Sequence, residues 1–203
     1  VSLTVFAEIP SFKAVTLKAK FTSRISNRVR RFSSNNVIAK YEGNDPELKD
    51  EYVIYTAHWD HIGKNPKLDG DQIYNGANDN ALGTGAIMTA AEAFSRLAEG
   101  TRRSVLFLAV TAEEQGLLGA KYYALNPLYP LNKTVAVINV DAMGNTFGKT
   151  KDLIVVGKGN SELDQVLEYA AKQDKKYLIP DAEPEKGYYY RSDHFEFAKQ
   201  GVP

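Results

Sequence analysis

The chain has no cysteine among its 203 residues, which excludes disulfides and thiolate metal sites. It also lacks an excess of either charge. Lys plus Arg and Asp plus Glu are 25 each, for a formal net charge of zero. There is no basic stripe to attract nucleic acid and no acidic block of the kind found in disordered tails. No apolar run is long enough to cross a bilayer. The chain begins at Val1 and shows no signal peptide, as expected of a mature or excised fragment. Absence of cysteine fits an exported protein, and an extracytoplasmic location is the expectation. Histidine is scarce, with three in all, and tryptophan occurs once. The length is that of one domain with a real core, read as 1–203, with 1–34 as lead-in and edge strands and 35–203 as the core.

What is present is a strand–helix alternation. Phe12 to Phe21 alternates apolar and polar residues, as a half-buried strand does. Asn36 to Tyr41 reads as a second strand, stopped by Glu42-Gly43-Asn44-Asp45-Pro46. Both look antiparallel and edge-like. Tyr52–Ala57, Ser104–Val110 and Thr134–Val140 are dense apolar runs, and Leu153–Val156 is a shorter one. Such runs suit parallel strands covered on both faces. Between them fall helical patterns. Leu82, Ala86, Ala90, Phe94 and Leu97 share a face, with Gly100 as a stop. Leu117, Leu118 and Tyr122 suggest a second helix. Ser161 and Asp164 start a third, whose buried stripe is Leu163, Val166, Leu167 and Ala170. Asp193–Lys199 is a short fourth. The order predicts an α/β fold, a three-layer sandwich around a mixed, mostly parallel central sheet. The polar stretch Lys64 to Asn78 predicts a long loop, and long loops in compact domains are usually functional.

Chemistry-bearing residues gather at one place in this scheme. Ligands of open α/β sheets bind at the carboxyl ends of the strands. His58 follows the run 52–57, Glu113 and Glu114 follow 104–110, and Asp141 ends 134–140. Asp79 stands before the helix that begins near Asn80, and His194 arrives from a distant loop. Singly, each has an ordinary explanation: a surface or capping imidazole, an N-cap acid, a solvated helix start. Together they supply one imidazole and one private carboxylate to each of two cations, with one carboxylate to share. Paired metals of this kind activate water for hydrolysis. Trp59 and His61 read as pocket wall rather than ligands.

The segments that carry these residues are Ala57-His58-Trp59-Asp60-His61, Asn75-Gly76-Ala77-Asn78-Asp79-Asn80, Thr111-Ala112-Glu113-Glu114-Gln115-Gly116-Leu117-Leu118-Gly119, Asn139-Val140-Asp141-Ala142-Met143-Gly144 and Arg191-Ser192-Asp193-His194-Phe195. In order and spacing the chain resembles the co-catalytic dizinc aminopeptidases, which include secreted bacterial leucyl aminopeptidases. Plasma glutamate carboxypeptidase is a more distant relative. The resemblance implies two Zn2+ ions, one on His58 and Asp141, the other on Glu114 and His194, with Asp79 bridging. It implies that Asp60 orients His58 and that Glu113 is the general base. It also implies that the family domain continues beyond Gly201-Val202-Pro203, so that the fold is truncated at the C-terminus.

Two zinc ions carry four positive charges and Asp79, Glu114 and Asp141 three negative ones, so a bridging hydroxide completes neutrality and serves as nucleophile. A tyrosine of Tyr188-Tyr189-Tyr190, taken as Tyr190, is the candidate for a further hydrogen bond to substrate. The expected function is removal of N-terminal residues from peptides. The alternatives are a carboxypeptidase or dipeptidase on the same metal set, and a non-catalytic binding module.

Overall fold

The computed structural model describes residue 13 and residues 19–29, 31–143 and 151–203. The chain divides into two compact units, 1–33 and 34–203. In the first, the described residues carry no helix or strand. The strand expected over Phe12–Phe21 lies mostly outside the described residues.

The second unit contains strands β1 (Val37–Tyr41), β2 (Tyr52–His58), β3 (Gly63–Lys64), β4 (Ile73–Tyr74), β5 (Ser104–Val110), β6 (Thr134–Asn139), β7 (Asp152–Val155) and β8 (Tyr177–Pro180). Its α-helices are α1 (Leu82–Ser95), α2 (Leu118–Leu125), α3 (Leu163–Gln173) and α4 (His194–Ala198). The central sheet has the order β1-β5-β2-β6. β1 runs antiparallel on the edge, while β5, β2 and β6 are parallel.

Alternation along the strands builds two cores. Val105 and Phe107 of β5 and Ala57 of β2 turn to one face, where Ile87 of α1 covers them with Ala90, Ala91 and Phe94. Leu106, Leu108 and Val110 of β5 and Ile54 of β2 turn to the other, against Ala120 and Tyr123 of α2 and Phe197 of α4. The sheet therefore lies between two helical layers. Ile54, Leu106, Leu108 and Phe197 are fully buried, each contributing about 1.5–3 kcal/mol of apolar burial.

Three expectations need correction. β7 does not join the central sheet. It pairs in parallel with β8 as a separate two-stranded sheet. α3 forms where expected, but its stripe is not buried: Val166 is 65% and Leu167 40% exposed, and Ala171 is its one buried residue. A two-stranded sheet is too narrow to cover a helix face. The segment 64–78 is not wholly loop either, since β3 and β4 form a short antiparallel hairpin within it.

The register aligns the strand ends. Ala57 and His58 of β2 stand beside Ala109 and Val110 of β5, and Thr56 stands beside Asn139 of β6. Past the last pairs, the Trp59 amide donates to the Val110 carbonyl at 3.0 Å and the Val140 amide to the Thr56 carbonyl at 2.9 Å. The residues following all three strands thus leave the sheet at one level. Two glycines permit the close approaches at this edge. A Cβ on Gly83 would lie 2.4 Å from the Val140 carbonyl oxygen, and one on Gly119 2.3 Å from that of Thr111. No side chain fits at either position.

Candidate metal centre

Each functional side chain is set by a local device. His58 is the last residue of β2 and is fully buried. Its carbonyl accepts the Thr84 hydroxyl at 2.9 Å, tying β2 to α1. Its Nδ1 is 3.0 Å from the Asp60 carbonyl oxygen. A proton on Nδ1 satisfies that contact and leaves the Nε2 lone pair free for a cation. The orienting group is therefore the Asp60 backbone. The Asp60 carboxylate, expected in that role, is 3.9 Å away and accepts the Glu113 amide at 3.3 Å.

Asp79 lies in an irregular turn, Ala77–Ala81, where Asp79 and Asn80 leave helical geometry and their shared peptide is cis. Asn80 fixes this turn. Its Oδ1 accepts the Gly83 amide at 3.0 Å, capping α1, and its Nδ2 donates to the Val140 carbonyl at 2.9 Å. Glu113 and Glu114 sit in the turn from β5 to α2, which Ala112 enters at φ 56°. Asn36 clasps both ends of that turn, accepting the Thr111 amide at 3.1 Å and donating to the Gly119 carbonyl at 2.9 Å. Asp141 is held from the far loop. The Ser192 hydroxyl donates to its Oδ2, and Asn139 Nδ2 donates to Ser192 Oγ at 2.6 Å.

The ligand atoms converge in two groups, His58, Asp79 and Asp141, and His61, Asp79 and Glu114. His58 Nε2 is 3.1 Å from Asp79 Oδ1 and 3.3 Å from Asp141 Oδ1. His61 Nδ1 is 2.7 Å from Glu114 Oε1 and 4.0 Å from the same Asp79 oxygen. One carboxylate oxygen is therefore common to both groups. The first group is the expected one. In the second, His61 stands where His194 was expected.

Electrostatics agree with a site built for positive charge. Burial lowers the His58 pKa, but the hydrogen bond and charge of Asp141, with the charges of Glu113 and Asp193, outweigh it and push the ring up to about 9. Burial raises Asp141, yet hydrogen bonds from His58 and Ser192 hold it below its ordinary value. Burial pushes Glu113 up to about 7, aided by the charges of Asp141, Glu114 and Asp79 against that of His58. Burial also pushes Asp193 up to about 8.

Several buried polar atoms here have no hydrogen-bond partner: His61 Nδ1, Glu114 Oε1, His194 Nε2 and both Asp193 oxygens. The 2.7 Å approach of His61 to Glu114 lacks hydrogen-bond angles. An unsatisfied buried polar group costs about 1–3 kcal/mol. Imidazole nitrogens and carboxylate oxygens gathered in this way suit divalent cations such as zinc, so the residues present fit the metal that the sequence implies.

Residues 36–203 match the family profile of Peptidase family M28. The chain belongs to that family. The M28 chain is 28% identical over 195 residues to a probable leucine aminopeptidase 2 of Arthroderma benhamiae, covering 92% of this chain and 36% of that protein. An aminopeptidase from Aneurinibacillus sp. strain AM-1 superposes with a TM-score of 0.62 at 25% identity, over 83% of this chain and 37% of that one. BSAP, a zinc aminopeptidase from Bacillus subtilis, superposes with a TM-score of 0.60 at 24% identity over 82% of this chain and 38% of that one, a likeness of fold. The M28 chain spans between 23% and 36% of the length of the curated relatives it matches.

Sequence reasoning read His61 as pocket wall and did not single out Ser192 or Asp193 as site residues. Ser192 and Asp193 stand directly before His194, and that adjacency was the available signal. His194 is half-buried, with its ring hydrogen-bonded to the Tyr189 backbone and packed 4.9 Å from the Tyr189 ring. Tyr190 is 63% exposed and stacks edge-on to Tyr189 and Phe195. Both tyrosines border a cavity of about 690 Å³. Among the described residues, no helix is long and apolar enough to cross a membrane.

Proposed function

We propose that this chain carries the catalytic centre of a zinc-dependent aminopeptidase that removes N-terminal residues from peptides outside the cytoplasm. The observation that supports it best is Asp79, whose single Oδ1 lies against both imidazole-containing groups. In this reading His58 and Asp141 hold one Zn2+, Glu114 and His194 the other, and Asp79 both. His194 qualifies despite the position of His61. Like His58, it has a ring fixed by a backbone hydrogen bond, and its buried Nε2 is otherwise unpartnered. His61 then walls the site.

Zinc held by these residues would supply a water of pKa roughly 7 and a Lewis acid for the substrate carbonyl. The chain's own groups do the rest. Glu113 belongs to neither metal group, and its amide is anchored on the Asp60 carboxylate. A carboxyl at this place can take a proton and return it to the departing amine, and in the metal-free chain burial raises it above its ordinary value. The Thr84 hydroxyl anchors the His58 backbone, and the Asp60 carbonyl holds the His58 ring in one orientation. Ser192 and Asn139 do the same for Asp141. Tyr190 is proposed as a substrate contact on the sequence alone, since none of the metal-group residues lines the cavity it borders.

The direct test is hydrolysis of leucine-p-nitroanilide. Turnover is expected, abolished by a chelator and restored by zinc. Turnover that survives the chelator would remove the metal mechanism. The ligand assignment is tested by counting zinc in two variants. His194→Ala is expected to bind one ion and His61→Ala two, and the reverse result would transfer the ligand role to His61.

A further inference from the structure

A cavity of about 410 Å³ opens beside the metal groups, and Asp60, His61 and Asn80 contribute to its lining. Three side chains form its apolar wall. Ile73 and Tyr74 of β4 line it at 60% and 39% exposure, and Trp59 lines it at 47%. The Trp59 ring is pinned by its Nε1–H, which donates to the Asn35 carbonyl at 3.2 Å. Gly76, at φ 66°, brings the chain back against the site, since a Cβ there would meet His61 Cβ at 2.8 Å. A concave space of ligand size, with two aromatic rings and an isoleucine set among Asp60, His61, Lys64, Asn75 and Asn80, has the make-up of a side-chain site bordered by polar groups.

The lining contains one lysine, Lys64 of β3. Its ammonium decides the polarity of the guest. The N-terminal side of an aminopeptidase substrate carries an α-ammonium, which Lys64 repels. The far side carries the leaving residue and, in a dipeptide, its α-carboxylate, which Lys64 attracts. Asp60, the acid in the lining, lies at the metal end, where it accepts the Glu113 amide, so Lys64 sets the polarity at the hairpin end of the cavity.

We propose that this cavity binds the residue on the C-terminal side of the scissile bond, selecting a large apolar or aromatic side chain and, through Lys64, a free α-carboxylate next to it. The inference rests on the aminopeptidase reading and names its substrate class: short peptides, dipeptides above all, with a bulky apolar second residue.

The test compares kcat/KM for Leu-Phe, Leu-Ala and Leu-Phe-amide, each normalised to leucinamide, which leaves the cavity empty. The native chain is expected to favour Leu-Phe over Leu-Ala. Joint replacement Ile73→Ala and Tyr74→Ala is expected to reduce that preference about tenfold. Lys64→Gln is expected to erase the preference for Leu-Phe over its amide. Preferences unmoved by these changes would overturn the proposal.

A second measurement is independent of turnover. Trp59 is the only tryptophan of the chain, so its emission reports the cavity. L-phenylalanine should shift that emission saturably and L-alanine should not, and the double variant should weaken the response about tenfold. Leucinamide turnover without a saturable response to phenylalanine would sink this inference and leave the aminopeptidase reading intact. A saturable response without turnover of any aminoacyl substrate would sink that reading and leave the cavity as a binding site for an aromatic amino acid.

Discussion

Glu113→Ala lowers turnover of leucine-p-nitroanilide by about 10²–10⁴-fold, the usual worth of a positioned general base, while the zinc content stays at the native value. The expectation follows from where the side chain sits. Ala112 turns the chain out of β5 at φ 56°, and the next amide is caught by Asp60. Glu114 is thereby the residue that enters the group with Asp79, and Glu113 is absent from both metal groups. Burial, with the neighbouring acids, raises the Glu113 carboxyl to about 7 in the metal-free chain. Metal analysis and steady-state kinetics on the same preparation separate the possible roles. Unchanged turnover removes Glu113 as the base, and lost zinc makes it a ligand.

Asp79→Ala loses both ions and, with them, all turnover. Removing a carboxylate private to one metal strips one site, whereas removing a shared one strips two. The variant should still fold. The Asp79 side chain is 45% exposed, and the start of α1 is secured by Asn80 rather than by Asp79. Elemental analysis after dialysis, beside a circular dichroism spectrum that matches the native one, is the check. Two zinc ions retained on a folded Asp79→Ala protein would contradict the bridging role.

Much of the frame was legible because it rests on local pattern. The runs that became β2, β5 and β6 are too apolar for anything but doubly covered strands, and their carboxyl ends do place His58, Glu113, Glu114 and Asp141 at one edge. The helix face of Leu82, Ala86, Ala90 and Phe94 was readable for the same reason, but Leu97, counted with it, lies past the helix end and exposed, and Ile87, the most buried side chain there, was not counted. What was not legible depends on partners distant in sequence. The α3 stripe has helical spacing, but spacing does not say what covers it, and Val166 and Leu167 lie exposed. Leu153–Val156 reads as a strand but not as a strand of a second sheet. Asn36 and Asn80 look like strand-start and turn residues. Their work is to clasp chain ends 83 and 60 residues away. The carbonyl of Asp60 holds His58 in the role assigned to its carboxylate, because the acid is drawn to the Glu113 amide. His61 was read as wall, yet its ring comes to 2.7 Å from Glu114. A sequence gives the ligand types, and only packing decides which of two nearby imidazoles approaches a given acid.

Anomalous diffraction at the zinc edge, from crystals of the protein grown with zinc, tests the central claim most directly. Two metal peaks are expected at the end of β2, β5 and β6, both contacting Asp79, one also touching His58 and Asp141 and the other Glu114. A single peak, no peak, or two peaks that do not share Asp79 would contradict the account.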